Sequence, residues 1–342
     1  MKKLIFNARN LVRIILFALL LQGCATCKVG KADQKKIAGK TYVILGASSG
    51  FGRGVAEELG RYKANVVLAA RRGEVLEEIA QIIRTSGGTA LVVPMDISKP
   101  EDVTRLTEAA VAKYGEIDVW INMAGVGAIG RLWEIPVEDQ ARLINVNLTG
   151  FIYGSHAAIN QFRQQGYGVL INMGSVDSET PHAYQAAYSA SKAGIRSMTL
   201  ALSQELRLND YKKIKVVVIE PWAVDTPFWR HAANYTGVEQ KFPMMDEPNK
   251  VVNAVLRKSL RPKKIQPVGW KAKGSSFFAN VWPRFNEHIT GSVAHRYQAS
   301  MPPAAANTSG SVHKPMAEGR GVSDGVDERL KKDRKERRKN RK

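Results

Sequence analysis

From Gly39 to Val268, short apolar runs alternate with stretches in which apolar residues recur every three to four positions. The runs predict strands at Tyr42 to Leu45, Val66 to Ala69, Ala90 to Pro94, Val119 to Asn122, Val169 to Met173, Lys215 to Ile219 and Ile265 to Val268. The helical periods fall between them, at about Gly50 to Tyr62, Glu74 to Arg84, Glu101 to Tyr114, Val137 to Phe162, Ala183 to Leu208 and Asn249 to Leu260. Strand and helix in repeated alternation predict an α/β fold, a doubly wound seven-stranded parallel sheet of Rossmann type with helices on both faces.

The pattern breaks at both ends. Residues 1–38 open with a basic segment, an apolar run from Ile14 to Leu21, and then "LQGC". That is the layout of a secretory leader, and the uncharged run falls short of a bilayer span. A lipoprotein signal acylated at Cys24, an uncleaved membrane-dipping anchor and a poorly structured leader all fit. Gln22 departs from the small residue usual two before such a cysteine. Cys24 and Cys27 are the chain's two cysteines, and no strand-helix context surrounds them to suggest a redox pair. At the other end, residues 300–342 read as a disordered linker, rich in Pro, Ala, Ser and Gly, followed by a basic tail. Residues 39–299 remain as the folded domain.

Composition adds one question. The 342 residues carry a formal net charge of +20, enough to suggest a nucleic-acid partner. The charge is concentrated at the termini, however. Nine basic residues stand against two acidic ones in "KKDRKERRKNRK", and nine against one between Met1 and Lys40. Nucleic-acid binding through the tail lacks aromatic interleaving or a recognised binding fold, so no nucleic-acid partner is expected. Six histidines lie scattered without paired ligand spacing, and no metal site is expected. For His182 and His231 the expectation is a solvated or locally hydrogen-bonded ring.

Candidate chemistry begins with "GASSGFG", where Gly46, Ser48, Ser49, Gly50, Phe51 and Gly52 join the first strand to the first helix. Glycines there allow a tight turn and close approach of a pyrophosphate to the helix N-terminus. A tight structural turn alone is the competing reading. About 20 residues on, an acid would hold the ribose of NAD. The second strand ends instead in Ala70-Arg71-Arg72, and a guanidinium suits the 2′-phosphate of NADP. Arg71 is the preferred candidate because it is nearest the strand end, and Arg72 is then a solvated neighbour.

A second constellation lies in "PHAYQAAYSASKAG". Tyr188 and Lys192, spaced i and i+4, share one helix face. The lysine ammonium is expected to favour the phenolate and lower the tyrosine pKa. Ser175 follows the fifth predicted strand, at the sheet edge where such folds bind ligands, and its hydroxyl suits a substrate oxygen. A surface Tyr-Lys pair is the alternative, countered by the glycine loop and the serine.

With these motifs in place, the chain resembles the short-chain dehydrogenase/reductase family, of the single-domain kind, from about Gly39 to Val268. The resemblance implies catalytic roles for Asn147 in "NVNLTG", Ser175, Tyr188 and Lys192. It implies cofactor contacts from the glycine loop, from Asp96 and Ile97 near adenine, from Asn122, Ala124 and Gly125, from Tyr188 and Lys192, and from Pro221, Val224 and Thr226 after the sixth strand. Leu45 replaces the family's usual Thr before the loop, Met123 its second Asn, and Trp222 its Gly. Trp222 either crowds the substrate mouth or fills core.

The mechanism so implied is hydride transfer with NADP. Tyr188 exchanges a proton with the reacting oxygen, Ser175 polarises it, Lys192 holds the nicotinamide ribose, and Asn147 anchors a water. Residues Pro227 to Pro248 would form a lid whose Phe228, Trp229, Tyr235, Phe242, Met244 and Met245 suggest an apolar carbonyl or alcohol substrate. The alternative function is a catalytically weak, membrane-tethered nucleotide-binding protein with a partner-recruiting tail. Membrane association through the leader is expected, on a side the sequence leaves open, as it does homo-oligomerisation.

Overall fold

The structure is a computed structural model that describes residues 28–242, 244–301, 303–326, 328–330 and 332. The leader cysteines, their acylation and nearly all of the basic tail from 331 lie outside these residues.

A short helix α1 (Lys31–Ile37) precedes β1 (Thr41–Leu45), α2 (Gly50–Arg61), β2 (Asn65–Ala70), α3 (Gly73–Thr85), β3 (Thr89–Pro94), α4 (Pro100–Tyr114) and β4 (Val119–Asn122). There follow β5 (Ala128–Ile129), α5 (Val137–Ile144), a π-helical turn (Asn145–Thr149), α6 (Gly150–Gln165), β6 (Gly168–Met173), α7 (Ala186–Leu208) and β7 (Ile214–Pro221). The remainder is α8 (Phe228–His231), β8 (Ala233–Asn234), α9 (Pro248–Leu260), β9 (Ile265–Val268), α10 (Gly269–Val281) and α11 (Pro283–Ala294).

Seven strands form one sheet in the order β3-β2-β1-β4-β6-β7-β9, with every pairing parallel. All five residues of β1 are buried, as befits a central strand with helices on both faces. Register brings the strand ends together. Leu45 lies opposite both Ala69 and Asn122, Asn122 opposite Asn172, and Met173 opposite Ile219. The loops after β1, β2, β4, β6 and β7 therefore open along one edge. The strand order reverses between β1 and β4, the switch point where doubly wound sheets take ligands.

Four regions depart from expectation, the first being the end of the expected leader, where α1 packs onto the domain with Ile37 fully buried. The expected helix over 137–162 contains the π turn, and α10 and α11 extend the domain beyond its last strand. The expected linker, Ser300 to Gly325, is packed in place. Val312 and Val326 are fully buried, and Thr308 exchanges backbone hydrogen bonds with Asn234. The linker reading failed because this strap is held mainly by its backbone carbonyls and leaves no apolar period. Among the described residues no helix is long and apolar enough to cross a membrane.

Candidate active site

The turn after β1 is built by close backbone approach. Gly46 has φ +94°, and a Cβ there would lie 2.6 Å from the Ala124 backbone. A Cβ on Gly52 would lie 2.1 Å from the Gly46 carbonyl oxygen, so any side chain would push α2 off the turn. The N-terminus of α2 thus sits directly over the edge formed by β1 and β4.

One cavity takes in this turn and the second constellation. Gly46, Ser48, Ser49, Gly50, Phe51, Gly52, Arg71, Asp96, Ile97, Ala124 and Gly125 line it, as do Ser175, Tyr188, Lys192, Pro221, Val224 and Thr226. The structure therefore brings together, on loops from six strands and on α7, nearly every residue singled out in the sequence. Asn122 is an exception. Its buried side chain accepts from Trp120 Nε1 at 2.8 Å and donates to Asn172 Oδ1 at 2.8 Å and Ser155 Oγ at 3.2 Å, a network inside the sheet and away from the cavity wall. Asn147, in the π turn, is also absent from the wall. Its amide oxygen accepts from Val126 N–H and its nitrogen donates to the Val126 carbonyl, both at 2.9 Å, which braces the loop after β4.

Tyr188 and Lys192 share a face of α7, as their spacing predicts, but their electrostatics differ from expectation. Burial pushes the Tyr188 phenol well above its usual range; the Asp177 carboxylate adds to the rise and the Ser175 hydroxyl opposes it. Burial also pulls Lys192 down to about 8, with Asp177 resisting. Lys192 Nζ donates to the Met173 carbonyl at 2.9 Å and lies 5.5 Å from the Tyr188 ring centroid. The lysine thus spends its charge on the end of β6, and desolvation wins at the phenol.

Ser175 caps the short turn after β6, accepting from Asp177 N–H at 3.2 Å. Asp177 in turn pairs with His182 Nδ1 below the surface. Burial disfavours the imidazolium, yet the Asp177 charge and hydrogen bond outweigh it, so His182 is raised. His182 Nε2 and Trp222 Nε1 are buried and without hydrogen-bond partners, and both residues line the cavity. Sequence reading missed this dyad because aspartate and histidine five positions apart in a loop carry no periodic signal. Trp222 both lines the cavity and packs at 6.0 Å against Phe242 of the lid, while Phe242 stacks on Trp229 at 5.9 Å. Phe228 brings the lid to 5.4 Å from the Tyr188 ring.

At the other end, Arg71 donates to the strap carbonyls of Ser311 at 2.7 Å and His313 at 3.1 Å. Arg72 is the more buried of the pair, not a solvated neighbour. It donates to Ser48 Oγ and to the carbonyls of Met316 and Glu318. Gly50 N–H, in the first turn of α2, donates to the Gly321 carbonyl at 2.9 Å. Asp96 accepts from Ser98 and pairs with Arg142; despite burial, these bonds hold its carboxyl below the usual range. His231, expected to be solvated or locally bonded, meets the Glu318 carbonyl through Nε2 at 3.0 Å. Among the described residues no group of three or more His, Cys, Asp or Glu side chains is arranged to hold a metal.

Residues 40–235 match the model of the short chain dehydrogenase family. The chain belongs to that family. This short-chain dehydrogenase is 31% identical over 277 residues to an uncharacterized oxidoreductase, YxnA, of Bacillus subtilis, covering 80% of this chain and 78% of the relative. It is 37% identical over 191 residues to a 3beta-hydroxysteroid dehydrogenase of Eggerthella lenta, covering 55% of this chain and 72% of the relative. An alcohol dehydrogenase of Thermococcus sibiricus complexed with 5-hydroxy-NADP superposes with a TM-score of 0.57 at 26% identity, over 67% of this chain and 95% of that one. A 3-ketoacyl-(acyl-carrier-protein) reductase of Brucella melitensis complexed with NADH superposes with a TM-score of 0.60 at 29% identity, over 68% and 97% respectively. The protein is thus an oxidoreductase of alcohol or carbonyl groups, in a family that uses nicotinamide cofactors, and the non-catalytic alternative is not favoured.

Proposed function

We propose that this short-chain dehydrogenase is an NADP-dependent reductase of an apolar carbonyl compound, running in reverse as an alcohol dehydrogenase. The observation that carries the reading is the single cavity joining Tyr188, Ser175 and Lys192 to the glycine turn and to Arg71. The cavity fits a dinucleotide, with a glycine cradle at its centre and cations at one end. Bound there, the cofactor supplies or accepts the hydride.

The protein's part is to position and to move a proton. Tyr188, held protonated by burial, is set to donate its phenolic proton to the carbonyl oxygen. Ser175 Oγ donates a hydrogen bond to the same oxygen as charge develops on it. Lys192, buried beside the tyrosine ring, would hold the nicotinamide ribose, and Asn147 braces the loop after β4 through the Val126 backbone. Arg71 supports NADP over NAD, because a 2′-phosphate is a stronger acceptor for its donors than the neutral carbonyls of Ser311 and His313. The aromatic lid favours an apolar substrate body. Trp222 Nε1, a buried donor without a partner, favours a substrate with a further acceptor oxygen.

A panel of aldehydes and ketones assayed with NADPH and NADH tests the reading. Reduction should be found with NADPH, and Tyr188→Phe should abolish it. Near wild-type turnover in Tyr188→Phe would sink the assignment. The leader is proposed to tether the enzyme at a membrane; equal solubility of the full chain and of one starting at Lys28 would refute the tether.

A further inference from the structure

The two helices beyond the last strand turn large apolar side chains toward water. On α10, Trp270, Phe277 and Val281 recur at i, i+7 and i+11 and form one stripe, and Trp270 is 58% exposed. Ala272 is that helix's buried contact, on the opposite side. The stripe continues through Trp282 into α11, where Phe285 and Ile289 stand one turn apart and Phe285 is 58% exposed. Arg284, Glu287 and His288 of α11 line the groove against α7, which leaves Phe285 and Ile289 on a separate face. Isolated exposed apolar residues need no explanation, but a continuous set of tryptophans and phenylalanines marks an interaction surface.

Two further observations identify what it meets. Lys273 lies one turn from Trp270 on α10. Lys258 on α9 is held down by burial and then by the charges of Lys263, Arg257, Arg261 and Lys273, so the basic residues of α9 and its following turn lie within reach of Lys273 on α10. Arg261 also holds both oxygens of Asp33 on α1, at 2.7 and 2.8 Å, so α1 and its lysines sit at this same side. In the sequence the apolar run Ile14 to Leu21 shortly precedes Lys28 and α1. Tryptophan and phenylalanine flanked by lysine and arginine are the composition of surfaces that lie in a headgroup layer. Each cation near an anionic leaflet adds attraction, whereas two copies of this face would bring like charges together.

We propose that the exposed face of α10 and α11, with the cations of α9 beside it, docks on an anionic lipid bilayer. This surface belongs to the folded domain and stands apart from both the catalytic reading and the leader.

Tryptophan emission separates the domain from the leader, because none of the six tryptophans lies within residues 1–27. The full chain is mixed with phosphatidylcholine vesicles, with or without phosphatidylglycerol, whose acyl chains are brominated to quench nearby indoles. Emission is expected to be quenched on the anionic vesicles and little changed on the neutral ones. Trp270→Phe/Trp282→Phe should abolish most of the quenching while the protein still cosediments with the vesicles. Phe277→Ser/Phe285→Ser should lower anionic-vesicle affinity at least tenfold, with carbonyl reduction unchanged. Cosedimentation of the unaltered chain without quenching, or quenching that survives Trp270→Phe/Trp282→Phe, overturns the proposal. So does a doubled mass in vesicle-free solution that Phe277→Ser/Phe285→Ser reduces to that of one chain, since a second copy would then be the occupant.

Discussion

The guanidinium of Arg71 donates a 2.7 Å hydrogen bond to the backbone carbonyl of Ser311, closing the C-terminal strap onto the end of β2 across 240 residues of chain. The side chain expected to read the cofactor's 2′-phosphate therefore also anchors a wall of the cavity. Arg71→Ala should weaken NADPH binding by about tenfold or more, the equivalent of a charge-assisted hydrogen bond of roughly 1.5 to 3 kcal/mol, and should weaken NADH far less. Fluorescence titration with both cofactors decides. Equal losses would mean that Arg71 serves the strap alone.

The strap itself can be loosened without touching the catalytic groups. Gly310 has φ +51°, and a Cβ there would lie 2.3 Å from the His231 carbonyl oxygen, so Gly310→Val should lift the segment locally. The expected result is cofactor release at least several-fold faster in stopped flow, with Tyr188 chemistry intact in single turnover. An unchanged release rate would show that the strap does not retain the cofactor.

Burial of the proton-transfer pair makes two pH predictions. Lys192 has its folded pKa at about 8, below its ordinary value of 10.5, so folding disfavours its charged form. The penalty is fully present below pH 8 and is relieved as pH rises from about 8 toward 10.5, because only the unfolded chain then keeps the proton. Thermal melts of the cofactor-free protein should show Lys192→Met stabilising at pH 7 and the difference shrinking toward pH 10; a difference that grows with pH would contradict the burial argument. Tyr188 is shifted the other way and stays protonated through neutrality. Carbonyl reduction should accordingly be nearly flat between pH 6 and 8, while alcohol oxidation climbs with pH, a contrast that initial rates in the two directions measure.

The orphaned indole N–H of Trp222 at the substrate end predicts specificity. Ketones carrying a second oxygen should be preferred over matched hydrocarbon ketones, and Trp222→Phe should reduce that preference by roughly 5- to 150-fold, corresponding to about 1 to 3 kcal/mol for a buried donor. The comparison is kcat/KM for 4-phenylcyclohexanone against 4-(4-hydroxyphenyl)cyclohexanone. If Trp222→Phe slows both ketones equally, the indole only packs the lid.

The sheet was legible because each strand is a compact apolar run whose neighbours are set by short helical crossovers, and all seven expected strands fall in that one sheet. The site was legible where spacing carries geometry: glycines that only a tight turn explains, and Tyr188 with Lys192 one helical turn apart. It was not legible where contacts span the chain. Nothing local in "SGSVHKP" says that its carbonyls meet Arg71, and nothing near Asn122 says that its amide turns toward Asn172 instead of the cavity. The sign of the tyrosine shift was missed for a similar reason. Spacing shows that a lysine is near, but only the folded environment shows that desolvation outweighs it.

Ser311 N–H donates to the His231 carbonyl at 2.8 Å, and Thr308 and Asn234 exchange backbone hydrogen bonds. His231 and Asn234 flank the lid residues that follow Phe228, and Phe228 rests against Tyr188. The covers of the two halves of the cavity are therefore stitched along one seam. A movement that frees the strap from Arg71 therefore also slackens the segment that rests on Tyr188, and the two covers of the cavity are coupled in opening.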